Sequence, residues 1–113
     1  MTENILKPVE AQLKAYNNRD IDNFVSNFST NCICEDSNGN ILIQGRDAMH
    51  VSYGKMFADS PNLHCNIVSR TVVGNYIFDE ERVTGRGGSE EERHVMAVYT
   101  VYDGLIQHVR FYR

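Results

Sequence analysis

An α+β fold is what this sequence predicts, and three observations predict it. Apolar residues recur at three- and four-residue spacing through the N-terminal half. From residue 63 onward the period changes to two. The change falls just after Ser60-Pro61-Asn62, a tripeptide that stops a helix. Helices therefore come first and strands later, the order of an α+β domain.

Each element follows from its own residues. Residues 5–17 read as an amphipathic helix with Leu6, Val9, Leu13 and Tyr16 on one face. Pro8 belongs to its first turn, where the missing N–H removes no helical bond. Asn17-Asn18-Arg19 breaks the pattern, and Asp20 is the N-cap of a shorter helix. Ile21, Phe24, Val25 and Phe28 form the buried side of that helix, and Ser29-Thr30-Asn31 ends it. Residues 32–36 read as a short strand, with Cys32, Cys34 and Asp36 on one face and Ile33 and Glu35 on the other. Ser37-Asn38-Gly39-Asn40 is a turn, and Ile41-Leu42-Ile43 a brief extended piece. A third helix over 46–58 follows Gly45, its inner face made of Ala48, Met49, Ser52, Tyr53, Met56 and Phe57.

Four antiparallel strands complete the chain, over 63–73, 76–85, 92–102 and 105–112. Gly74-Asn75 and Asp103-Gly104 are hairpin turns, and Gly85 to Ser89 is a looser one. A curved sheet with helices on its concave side leaves a pocket between the layers, a common place for a small apolar ligand.

Composition narrows the function. The 113 residues make one domain, 1–113, with 42% hydrophobic and 23% charged residues. A net charge of −4 without a basic cluster argues against a nucleic-acid partner. The Glu80-Glu81 and Glu90-Glu91-Glu92 runs read as solvated charge. No apolar run approaches the roughly 20 residues that cross a bilayer, so no membrane partner is expected. Met1 to Asn4 lead straight into the first helix without a secretory signal. Three cysteines, an odd number, then point to free thiols and a cytoplasmic setting. Cys32-x-Cys34 is too closely spaced for a zinc knuckle, so no metal is expected. Gly85-Arg86-Gly87-Gly88 lacks the Lys-Ser/Thr ending of a phosphate loop.

The string Asn-Arg-Asp-Ile-Asp, the short helix ending in Phe28, then Cys-Ile-Cys-Glu-Asp and Gly-Arg-Asp-Ala-Met together resemble the nuclear transport factor 2-like superfamily. Within it the chain is similar to the ketosteroid isomerases and the SnoaL-like cyclases. The resemblance implies a cystatin-like cone: a curved antiparallel sheet with three N-terminal helices enclosing a pocket. It also implies chemistry at a carbon next to a carbonyl, by a carboxylate base and an oxyanion hole, with no cofactor. The base position falls on Asp36. That residue either faces the pocket or caps the turn through Asn38 or Gly39. The donor tyrosine of the isomerases falls on Gln12, with Tyr16 one turn later as a substitute. The second donor, an acid in the family, falls near Val98, where no acid stands. Tyr53 matches a supporting tyrosine, and Phe57 lies one turn beyond it.

His94, Met96 and Val98 share strand parity and line the pocket if that face points inward. Three functions remain open. One is an isomerase-like enzyme acting on a small apolar carbonyl compound through Asp36. Another is a non-catalytic binding module of the same fold. The last is a homodimer through the sheet, with Tyr99, Val101, Val109 and Phe111 offered as its surface.

Overall fold

The fold is described from a computed structural model for residues 4–113, so the reading of Met1 to Glu3 as a plain lead-in lies outside the described residues. Its elements are α1 (Leu6–Asn17), α2 (Ile21–Val25), β1 (Phe28–Glu35), β2 (Ile41–Gln44), α3 (Arg46–Ala58), β3 (His64–Val73), β4 (Tyr76–Thr84), β5 (Arg93–Tyr102) and β6 (Leu105–Tyr112), with one 3₁₀ turn at Arg86–Gly88.

Local chemistry sets the helix boundaries. Pro8 lies in the first turn of α1, and Val9, Gln12 and Ala15 below it are buried. Asp20 caps α2 by accepting from the Asn23 N–H at 3.3 Å. Gly45 precedes α3 at φ +91°, a backbone state that a residue with a Cβ seldom adopts. Only Met49 and Phe57 of α3 are fully buried, with Tyr53 and Met56 half-buried beside them. Ala48 and Ser52 are exposed, contrary to the expected inner face. The helix axis is rotated so that the larger side chains take the buried stripe.

The six strands run in the order β2-β1-β6-β5-β4-β3. Every neighbouring pair is antiparallel except β1 and β6, which are parallel. The sheet is therefore mixed rather than wholly antiparallel, because β6 returns beside β1 in the same direction. Ser29, Thr30 and Asn31 belong to β1 instead of ending α2, so the strand begins at Phe28. Phe28 is buried at its first position and leads directly into the sheet.

All three helices pack on one face of the sheet. That inner face carries Cys32 and Cys34 of β1, Cys65 of β3, Ile77 and Val83 of β4, Ala97, Tyr99 and Val101 of β5, and Ile106 and Val109 of β6. Phe24 centres the helical side, with ring centroids 4.7 Å from Tyr53, 5.1 Å from Phe28 and 5.4 Å from Phe57. One loop contact fixes how β4 turns into β5. Gly85 has φ +78°, and a Cβ there would collide with the Asn62 carbonyl oxygen. Next to it, the Gly87 N–H donates to Ser60 Oγ at 2.8 Å. The glycine-rich segment is thus a docked turn, and it holds Arg86 over the open end of the helix–sheet interface.

Candidate functional site

That interface contains a pocket. Gln12 and Tyr16 of α1, Phe24 of α2, and Tyr53 and Met56 of α3 form the helical wall. Glu81, Val95, Tyr99, Val109 and Phe111 form the sheet wall, and Arg86, Arg93 and Arg113 also line it. Its free volume is about 80 Å³. The lining is mostly aromatic and aliphatic, so polar groups that enter it stand out.

Glu81 is the central one. It is only 7% exposed, on the inner side of β4 between Asp79 and Val83. Burial, and then the negative charge of Asp79, push its carboxyl up to about 7. Tyr99 donates its hydroxyl hydrogen to Glu81 Oε2 at 3.3 Å. Gln12 Nε2 donates in turn to the Tyr99 hydroxyl oxygen at 3.2 Å. The carboxyl is therefore held in place by groups from α1 and β5.

Asp79, two residues earlier, is 0% exposed and aims the same way. Arg70 neutralises it with a two-pronged contact, Nε to Oδ1 at 2.7 Å and Nη2 to Oδ2 at 2.9 Å. Arg70 also approaches Glu10 of α1 at 3.6 Å. The two inward acids of β4 thus differ in kind: one is locked to an arginine and the other has none.

Two more groups face the pocket unengaged. Among the described residues the hydroxyls of Tyr16 and Tyr53 make no hydrogen bond. Burial raises both phenols, chiefly by desolvation, so both stay protonated as donors. Burial likewise pushes the Cys34 thiol up to about 12, which makes it inert at neutral pH. All three cysteines are free and buried. Among the described residues, no group of three or more His, Cys, Asp and Glu side chains could hold a metal ion.

Of the residues singled out in the sequence, Gln12, Tyr16 and Tyr53 line this pocket together. Phe57 packs behind it, edge-on to Tyr16 at 5.5 Å. Asp36 lies elsewhere. Its Oδ1 accepts from the N–H groups of Asn38 and Asn40, both at 2.9 Å, and its Oδ2 accepts from Asn40 Nδ2 at 3.0 Å. These bonds, led by those from Asn40, hold its carboxyl below the usual range. Strand β1 ends at Glu35, and Asp36 is the first residue of the turn beyond it, its N–H donating to the Asn40 carbonyl and its own carbonyl accepting from the Gly39 N–H, so it does not continue the face of Cys32 and Cys34. It is a turn cap.

The expected parity of β5 is also reversed. Val95, Ala97, Tyr99 and Val101 point inward, while His94, Met96 and Val98 lie on the outer face. His94 bonds Glu80 at 2.7 Å there, and both line a shallow outer groove with Met96 and Tyr112. Tyr99, Val101 and Val109 are core residues and Phe111 lines the pocket, so none belongs to an outer surface. Glu81 and Tyr99 are the functional candidates that sequence reasoning missed. Glu81 was hidden in an acidic run, although Ile77 and Val83 at the same parity mark its face as apolar.

Helices on the concave face of a curved, unclosed sheet, with a mainly apolar pocket and one buried acid between the layers, define a nuclear transport factor 2-like, cystatin-like pocket domain. Residues 9–109 match the family described as the SnoaL-like domain, and the chain belongs to that family. Among solved structures, an uncharacterised cystatin-fold protein from Novosphingobium aromaticivorans is 27% identical with a TM-score of 0.90, over 99% of this chain and 100% of that one. An LEH-like epoxide hydrolase of M. tuberculosis is 22% identical with a TM-score of 0.83, over 96% of this chain and 80% of that one. A protein with a ketosteroid isomerase-like fold from Catenulispora acidiphila, in complex with trimethylamine, is 17% identical with a TM-score of 0.77, over 100% of this chain and 87% of that one. The last two share the fold alone with this chain. Among curated proteins none matches it. No helix among the described residues is long and apolar enough to cross a membrane.

Proposed function

We propose that this domain binds a small, largely apolar carbonyl compound and moves a proton on it through Glu81. One observation carries the reading. A buried carboxyl with a pKa of about 7 shares a pocket with two protonated tyrosine hydroxyls that have no hydrogen-bond partner among the described residues. A pKa near the working pH lets one group take a proton and return it. In the proposed step, the Glu81 carboxylate removes a proton from the carbon beside the carbonyl. The Tyr16 and Tyr53 hydroxyls donate to the carbonyl oxygen as negative charge builds there. The protonated Glu81 then delivers the proton to a different carbon, which shifts a double bond. Gln12 and Tyr99 act as positioning residues, because they orient the carboxyl through a hydrogen-bond chain.

This keeps the isomerase type of chemistry and relocates its base from Asp36 to Glu81. The substrate must be small. A free volume of about 80 Å³ lies well below that of a typical ligand pocket. A fused-ring steroid would have to push the helices off the sheet, whereas a single ring needs only side-chain adjustment.

The test is isomerisation of 3-cyclohexenone to its conjugated isomer, followed by ultraviolet absorbance. Wild type is expected to accelerate it, Glu81→Gln to reduce that acceleration by about 100-fold or more, and Asp36→Asn to leave it largely intact. Loss of rate in Asp36→Asn with Glu81→Gln unaffected would reverse the assignment. Binding without any acceleration would reduce the protein to a binding module.

Pairing of two copies through the outer sheet face belongs to the same reading. Phe78, Met96 and Val98 are only half-buried there, and Tyr76 is 50% exposed. Sedimentation at micromolar concentration decides it. The buried free thiols suit the reducing cytoplasm that this reading assumes.

A further inference from the structure

The sequence has eight arginines, and five of them are engaged in structure. Arg19 donates to the carbonyls of Asn17 and Leu63, and Arg46 to that of Phe28. Arg70 holds Asp79, Arg82 holds Glu92, and Arg110 lies 3.0 Å from Glu35. The remaining three are Arg86, Arg93 and Arg113. Among the described residues none of them has an ion pair or a side-chain hydrogen bond, and all three line the helix–sheet pocket, Arg113 also touching the outer groove.

Four features make this more than solvated charge. The overall charge is −4, so three unpaired cations around one opening run against the balance of the chain. Glu90, Glu91 and Glu92 lie close by in sequence, yet Glu92 pairs with Arg82 and the other two make no ion pair. Arg86 is held by a backbone that cannot easily move, because Gly85 is packed against Asn62 and Gly87 is bonded to Ser60. Arg113 lies over the ring of Phe111, itself a pocket residue, at 5.5 Å. A guanidinium fork matches a carboxylate through paired, charge-assisted bonds.

We infer that the pocket takes an amphipathic anion, with its apolar carbonyl-bearing body between the helices and the sheet and its carboxylate among Arg86, Arg93 and Arg113. This deepens the function proposed above and rests on that pocket being the binding site. The head group stays at the opening, so it needs none of the small interior volume. It also lies apart from Glu81, whose inner position would repel it.

The experiment compares 3-oxocyclohexanecarboxylate with its carboxamide, two ligands of nearly equal shape, by titration calorimetry in 50 mM salt. The carboxylate is expected to bind about ten-fold or more tightly than the amide, with the ratio shrinking in 500 mM salt. Arg86→Gln/Arg93→Gln is expected to bring the ratio close to one while leaving carboxamide affinity within about two-fold. Both side chains are unpartnered, and circular dichroism checks that the variant is folded. A wild-type ratio near one, or a ratio unchanged in the double variant, overturns the inference while the pocket reading stands. Failure of both ligands to bind overturns the two together.

Discussion

Glu81→Gln tests the site without needing a substrate. The carboxyl stands at about 7 in the folded protein against an ordinary value of 4.5. The folded state therefore holds a proton that the unfolded state has released between those two values. Stability present below pH 4.5 is lost as the pH rises through about 7, and levels off above it. The gap is worth about 3 kcal/mol. Gln has nearly the same shape and stays neutral. Its carbonyl oxygen accepts from Tyr99 as the carboxyl does. In urea unfolding, variant and wild type should be close at pH 4.5. The variant should be more stable at pH 8, by up to about 3 kcal/mol, or roughly 10 °C in melting temperature. Parallel stability curves for the two proteins from pH 4.5 to 8 would refute the reasoning, because they would mean that Glu81 ionises as freely as a surface acid.

Two further substitutions probe the frame around the site. Arg70→Met leaves Asp79 buried without its partner and should cost about 3–5 kcal/mol; chemical denaturation measures it, and Arg70→Met/Asp79→Leu should recover a large part of the loss. Gly85→Ala forces a side chain into a left-handed backbone and against the Asn62 carbonyl. It should destabilise by at least about 1–3 kcal/mol and, by shifting the turn that carries Arg86, lower the carboxylate-to-amide binding ratio as well.

The order of elements was legible because period and punctuation agree along this chain. Asp20, Gly45, Pro61, Gly74 and Gly104 each sit at a boundary where the backbone needs that residue type, and the strands after residue 63 fall within about a residue of their expected ends. The direction of β1 against β6 was not legible, since nothing local records which strand a terminal strand will join. The inward face of β5 was hidden for a different reason. Met96 and Val98 alternate with Ala97, Tyr99 and Val101, so both faces are apolar and the pattern has no polar side to mark solvent.

The same ambiguity explains why the acid was sought on the wrong strand. At Asp36 the resemblance and the alternation both pointed inward, but the strand ends at Glu35, and Asn38 and Asn40 of the turn receive the next side chain. On β4 an acidic run concealed an alternation: Asp79 and Glu81 face in, while Glu80 faces out to Ser69 and His94. Two carboxylates buried two residues apart would repel each other if neither had a partner. Arg70 takes Asp79 alone, and Glu81 is raised first by its own burial and then by the charge of Asp79, while Arg70 pulls it the other way. The proton affinity of Glu81 therefore follows first from its buried place on the inner face of β4, and the charge of Asp79 two residues away adds to it, on a different strand of the sheet from the position that the resemblance suggested.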